Sequence, residues 1–159
     1  WTLESVRRNQ RNSSSYFDAN NFQKFNQGVI FLSTDAHGQH IFLDYNGFFP
    51  KDHQDGNWVL QLLQQVVSRS SAKEVHAHVE VFDGITSPPG FAAVVLLDES
   101  HLTAHCYSEL GWLAIDAFTC GGTDPSEMIT DLKEVLDSEI PNLVLMQEQK
   151  VNRFLHPEV

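Results

Sequence analysis

The chain has 159 residues and a formal net charge of −11, from 10 Lys+Arg against 21 Asp+Glu. A domain of that length buries about 70% of its unfolded surface, and 42% apolar residues are enough for a packed core, so wholesale disorder is excluded. The acidity argues against nucleic acid as a partner, which needs a concentrated basic face, and suits a small cationic molecule better.

Cys106 and Cys120 are the only cysteines, too few for a disulfide-stapled scaffold and without a Cys-x-x-Cys pair for zinc. The longest apolar run, Phe91 to Leu97, is far too short to span a bilayer. Arg7, Arg8 and Arg11 are followed by polar residues instead of the apolar run of a signal peptide. A soluble cytoplasmic protein with no membrane partner is expected.

Residues 1–27 are rich in Asn, Gln, Ser and Arg with no sustained apolar period, which predicts a polar, partly ordered N-terminal extension. Residues 28–159 are expected to form a single domain. Gly28–Thr34 and His40–Tyr45 read as strands around an Asp35-Ala36-His37-Gly38 turn. Between Asn57 and Arg69, Trp58, Val59, Leu62, Leu63, Val66 and Val67 recur at helical spacing, with Asp55 or Asn57 as cap.

Lys73–Phe82 alternates as a half-buried strand, with Val75, Ala77, Val79 and Val81 on one face and His76, His78 and Glu80 on the other. After a Pro- and Gly-rich loop over Asp83–Gly90, strands are predicted at Phe91–Asp98, His101–Tyr107 and Trp112–Phe118. A helix follows over Asp124–Ser138, with Asp124 as cap and Pro125 as its first residue, and a last strand over Asn142–Gln147. Antiparallel strand clusters with two helices between them define an α+β fold, an antiparallel sheet with helices packed on one face.

Reactive side chains concentrate in Asp98-Glu99-Ser100-His101-Leu102-Thr103-Ala104-His105-Cys106-Tyr107-Ser108-Glu109, with Cys120 soon after. On a strand, His101, Thr103 and His105 share one side, which is compatible with a plain polar surface. A hydrolase would place its serine in a Gly-x-Ser-x-Gly turn, and Glu99-Ser100-His101 lacks both glycines. His76 with His78, or His101 with His105, gives two same-face nitrogens but no third ligand, so no metal is expected. A third reading is rearrangement of the peptide bond at Glu99–Ser100.

The stretch Glu99-Ser100-His101-Leu102-Thr103-x-His105, then Glu109-x-Gly111, then Ala114-x-Asp116-x-Phe118-Thr119-Cys120-Gly121 resembles the prokaryotic S-adenosylmethionine decarboxylase family. Upstream, Gly38-x-His40-Ile41-Phe42-Leu43-Asp44-x-x-Gly47 is similar to that family's opening strand. These enzymes make their own pyruvoyl cofactor. The resemblance implies that Ser100 attacks the carbonyl of Glu99 and that β-elimination, with His105 as base, splits the chain into a β chain of residues 1–99 and an α chain of 100–159. A pyruvoyl group derived from Ser100 then forms a Schiff base with the substrate amine and serves as electron sink, as PLP does elsewhere. Cys120 matches the proton donor and Glu109 the carboxylate on the ribose hydroxyls. Phe82 and Phe91 are the candidates to stack on adenine and sulfonium.

The resemblance also implies a homodimer whose sites use both protomers, a layered α/β/β/α sandwich. Its activity would be decarboxylation of S-adenosylmethionine to the aminopropyl donor of polyamine and spermidine synthesis. Two departures keep other readings open. The family's Gly-Val-Ser-Gly is Gly90-Phe91-Ala92-Ala93 here, and its Thr-Trp-Pro is Cys106-Tyr107-Ser108. The alternatives are a pyruvoyl-dependent arginine or ornithine decarboxylase, and an uncleaved homologue acting as a binding or regulatory subunit.

Overall fold

In four of the strands buried side chains alternate with half-buried or exposed ones, which sorts them onto two unlike faces of one sheet. The computed structural model describes residues 34–51, 54–120 and 122–157. In chain order they form β1 (Thr34–Asn46), α1 (Gly56–Arg69), β2 (Glu74–Phe82), β3 (Gly90–Leu97), β4 (Ser100–Tyr107), β5 (Trp112–Cys120), α2 (Pro125–Glu139) and β6 (Val144–Pro157). The six strands make one sheet in the order β2-β3-β4-β5-β1-β6. The β2–β3, β3–β4, β4–β5 and β1–β5 pairings are all antiparallel. Asp35–His156 forms one compact unit. The expected extension at 1–27, and residues 28–33 of the first expected strand, lie outside the described residues.

One face of the sheet is the core. Ile41, Leu43 and Tyr45 of β1, Phe91, Ala93, Val95 and Leu97 of β3, Leu102, Ala104 and Cys106 of β4, and Leu113, Ile115 and Ala117 of β5 are buried together. Onto them pack Val59, Leu62, Leu63, Val66 and Val67 of α1 and Met128, Ile129, Leu132 and Leu136 of α2. Both helices therefore cover the same side, as the apolar stripes of their sequences require. Asp55 caps α1, accepting from the Trp58 N–H at 3.0 Å. Asp124 caps α2 ahead of Pro125, accepting from the Ser126 N–H at 2.9 Å. The second face carries His40 and Phe42, Ala92, Val94 and Leu96, His101, Thr103 and His105, and Trp112, Ala114, Asp116 and Phe118, all half-buried or exposed.

Three expectations are corrected. Residues 35–38 do not turn: β1 runs straight through them, and its pairing with β5 begins at Gly38 opposite Cys120. On β2 the apolar side is only partly covered. Ala77 and Val79 are half-buried under α1, while Val75 and Val81 stay exposed at this edge strand, beside a register shift at its start. The last strand does not stop at Gln147 but continues to Pro157.

Candidate active site

Asp98 and Glu99 are the two turn residues between β3 and β4, since Leu97 pairs with Ser100. Ser100 is the first residue of β4 and is buried, with 9% of its surface exposed. Its Oγ accepts a hydrogen bond from the backbone N–H of Cys120, the last residue of β5, at 3.1 Å. A main-chain donor on that oxygen stabilises negative charge developing there and leaves the hydroxyl proton free to be removed. Glu99 itself is exposed and has φ 62, in the left-handed region.

Gly38 makes room for the cysteine. A Cβ there would come within 2.9 Å of the Thr119 carbonyl oxygen and 3.4 Å of Cys120 Sγ. Burial, and then the nearby Glu99 carboxylate, raises the pKa of the Cys120 thiol, while Arg153 acts in the opposite direction. The sulfur is thus held as S–H, the form that gives up a proton.

Beside this junction lies a polar and aromatic group on the open face. His40 Nε2 is 3.0 Å from Asp116 Oδ1, and the Arg153 guanidinium donates to His40 Nδ1 at 3.2 Å. Arginine has no acceptor, so Nδ1 accepts and the ring proton sits on Nε2, donated to Asp116. Arg153 also stacks over Phe118 at 5.3 Å. The His101 ring lies 5.5 Å from Phe118 and 6.3 Å from His40. Burial, then the neighbouring His40, lowers the His101 pKa; Asp116 opposes that shift and Arg153 adds to it. His40 stands in the Gly38-x-His40 motif, but Arg153 had no sequence signal, because it belongs to the part of β6 beyond the expected strand.

The other expected site residues are at the opposite end of the sheet. His105 pairs with Ala92 on β3 and Ala114 on β5, and Glu109 is exposed in the β4–β5 turn. With Asp44, Tyr107, Trp112, Ala114 and Met146, His105 lines a cavity of about 460 Å³. Tyr107 and Trp112 meet there edge to face at 6.4 Å. Phe91 is 3% exposed and turned to the core, 6.2 Å from Phe48, while Phe82 is half-buried opposite Gly90. Both border a separate hollow of about 350 Å³ with Lys51 and Asp55.

Ser100 and His105 are five residues apart on one strand, roughly 16 Å at the usual rise, and alternate to opposite faces. Within one chain the structure brings Glu99, Ser100 and Cys120 together and keeps His105, Glu109, Phe82 and Phe91 at the far end. Among the described residues no group of three or more His, Cys, Asp or Glu converges as for a metal ion, and no helix is long and apolar enough to cross a membrane.

Fold and junction together define an α+β domain that offers a buried serine, behind an exposed acidic turn, to a cysteine amide. The family model for S-adenosylmethionine decarboxylase matches residues 39–147, and the chain belongs to that family of decarboxylases. It is 29% identical over 113 residues to the S-adenosylmethionine decarboxylase proenzyme of Thermodesulfovibrio yellowstonii, covering 70% of this chain and 81% of that one. The proenzyme of Symbiobacterium thermophilum is 30% identical over 110 residues, 69% of this chain and 80% of that one. That of Thermosipho africanus is 43% identical over 72 residues, 45% and 55%. The crystal structure of the Aquifex aeolicus VF5 adenosylmethionine decarboxylase superposes with a TM-score of 0.56 at 23% identity, covering 79% of this chain and 98% of that one, a likeness of fold.

Proposed function

We propose that the chain is a proenzyme that cuts itself between Glu99 and Ser100 and then decarboxylates S-adenosylmethionine, the step that supplies aminopropyl groups for polyamine synthesis. The observation that carries this reading is the Ser100–Cys120 junction. A buried hydroxyl accepts a main-chain N–H, directly after a turn residue whose carbonyl it would attack. In the first step Ser100 Oγ bonds to the Glu99 carbonyl carbon, the Glu99–Ser100 C–N bond breaks, and the hydroxyl proton passes to the nitrogen. His105 of a second copy then removes the serine α-proton, an imidazole being suited to that at neutral pH, as the Cβ–Oγ bond breaks and frees the main-chain carboxylate of Glu99. The dehydroalanine left behind tautomerises to an imine, which water hydrolyses to the ketone with loss of ammonia.

The junction fits a pyruvoyl group, since the Cys120 N–H that now meets Oγ is a ready donor for a carbonyl oxygen in the same place. Such a group supplies an electron sink for the carbanion left when carbon dioxide departs. Cys120 holds the proton that is returned to that carbon, its thiol kept protonated by burial and by Glu99. Glu109 offers two acceptor oxygens to a vicinal diol, and the exposed rings of Tyr107 and Trp112 border the cavity beside His105.

A homodimer is part of this proposal. The half-site of Ser100 and Cys120 and the half-site of His105 and Glu109 lie at opposite ends of a sheet whose second face bears Leu96, Tyr107 and Trp112 at 40–51% exposure. Two sheets packed face to face, running opposite ways, would join unlike half-sites and give the α/β/β/α sandwich.

One observation favours a second reading, an uncleaved regulatory homologue: Ala92, directly opposite His105, brings no hydroxyl to that half-site. Intact mass of the purified protein, with and without hydroxylamine, together with release of label from carboxyl-labelled S-adenosylmethionine, separates the readings. Two fragments and released label are expected. A single 18.0 kDa species that hydroxylamine leaves whole refutes self-cleavage, and a cleaved sample that releases no label refutes the substrate.

A further inference from the structure

Among the described residues a left-handed backbone falls on glycine at Gly47 (φ 91), Gly84 (φ 82) and Gly111 (φ 67). It falls on a residue with a side chain at two places, Glu99 (φ 62) and Phe154 (φ 52) in β6, and of these two only Glu99 stands in a turn between strands. Gly111 does this in the neighbouring β4–β5 turn. The β3–β4 turn has the same need, and there the residue is Glu99 at φ 62. A residue with a Cβ is disfavoured in that region by contact with its own carbonyl, and such conformations persist only where the surroundings impose them.

Here the surroundings do so from three sides. Leu97 and Ser100 are locked in the β3–β4 ladder. The Asp98 N–H donates to the Lys73 carbonyl at 2.9 Å, tying the turn to the chain entering β2. Ser100 Oγ is fixed by the Cys120 N–H on β5. The Glu99 side chain, by contrast, is exposed and makes no hydrogen bond among the described residues.

Resting on the self-cleavage proposed above, we infer that Glu99 is a positioning residue that acts through its main chain: its left-handed conformation loads the scissile peptide bond and is relieved as that bond breaks. Transfer of the acyl carbon from the Ser100 nitrogen to Ser100 Oγ lengthens the link between the Glu99 carbonyl and Ser100 Cα by one atom. Nothing is oxidised or reduced, and the hydroxyl proton ends on the freed amine. The tight turn that enforces φ 62 is then open, so relief begins in the transition state and speeds the shift.

The test compares Glu99→Gly, Glu99→Asn and Glu99→Ala in the full chain, made by cell-free translation and followed by denaturing electrophoresis. Glycine accepts the conformation without strain, asparagine accepts it in part, and alanine keeps the strain while removing the carboxylate. Glu99→Gly should cleave more slowly than Glu99→Ala, by up to about 5–30-fold if the strain is fully relieved in the transition state, with Glu99→Asn between them. In a Ser100→Ala background, where nothing cleaves, Glu99→Gly should melt about 2–4 °C above Glu99→Ala. Equal cleavage rates for Gly and Ala, both below the unsubstituted chain, would assign the effect to the carboxylate and overturn the inference. Equal melting temperatures would overturn it as well. An unsubstituted chain that never cleaves overturns the functional reading itself, and the melting comparison still reports on the strain.

Discussion

Two inactive variants should rescue each other if Ser100 of one copy is served by His105 of another. Along β4 the two residues are separated by roughly 16 Å and face opposite ways, a span no histidine rotamer closes. Alone, Ser100→Ala removes the nucleophile and should abolish cleavage. Alone, His105→Ala should slow elimination by about 10²–10⁴-fold, the usual worth of a positioned base, and leave an ester that hydroxylamine cuts.

Unfolded together and refolded in equal amounts, the variants pair at random, and about half of the His105→Ala chains meet a Ser100→Ala partner. In that pair the chain with the intact serine meets a partner with the intact histidine. Mass spectrometry of the His105→Ala chain should show about half of it cleaving at the unsubstituted rate and the remainder staying slow. If mixed dimers form and none of it cleaves faster than alone, the shared site is wrong. If His105→Ala by itself cleaves normally, His105 is not the base.

Gly38→Ala should push the end of β5 away, because the new Cβ would sit 2.9 Å from the Thr119 carbonyl oxygen and 3.4 Å from Cys120 Sγ. A loss of about 1–3 kcal/mol in thermal unfolding and slower cleavage are expected, and unchanged cleavage would mean that the Cys120 position is not critical. Phe91→Ala should cost about 3–5 kcal/mol, as for an aromatic lost from a core. An unchanged melting temperature with a raised KM would instead make Phe91 a substrate contact. His101 faces His40 of β1, Asp116 of β5 and Arg153 of β6, and its pKa is lowered from 6.5 by burial and then by His40. Its unfolded form therefore binds a proton that the folded form refuses, so stability should be full above pH 6.5 and fall as pH drops towards the folded value. A His101→Gln chain should lose part of that slope in denaturant titrations, and an identical slope refutes the assignment.

What the sequence made legible follows from where information is local. The helix stripes and caps at Asp55 and Asp124 are local, and both helices lie within a residue or two of expectation. The Asp35–Gly38 segment has turn composition, yet it is extended and its last residue pairs with a strand some eighty residues away. β6 outruns its expected end because Gln147, Glu148, Gln149 and Lys150 break the apolar alternation without ending the strand. That strand is exposed along its length and is held by its place beside β1, not by burial. For the site, the Ser100, His105 and Cys120 spacing was visible as a motif. The odd separation of Ser100 from His105 already put them on opposite faces. The β4–β5 register that lays the Cys120 amide against Ser100 is a long-range fact, and so is Arg153 on His40.

The proposed homodimer would answer the bare face and the divided site together. A sheet with helices on one side and Leu96, Trp112 and Phe118 on the other gains most by burying that second side. In the proposed homodimer, a two-fold axis lying between two such sheets and across their strands would exchange the ends of β4 and bring the Ser100 end of one copy to the His105 end of the other. Such a contact is isologous, so both sites would be completed at once or neither would be. Cleavage would then depend on association. Refolded at rising concentration, the chain should pass from a second-order regime, in which pairing limits the rate, to one fixed by the chemistry of Ser100. Size-exclusion profiles taken alongside locate the crossover at the appearance of the dimer. A cleavage rate that stays constant down to concentrations at which the chain is monomeric would show that each copy carries its own base, and the two-ended site would have to be abandoned.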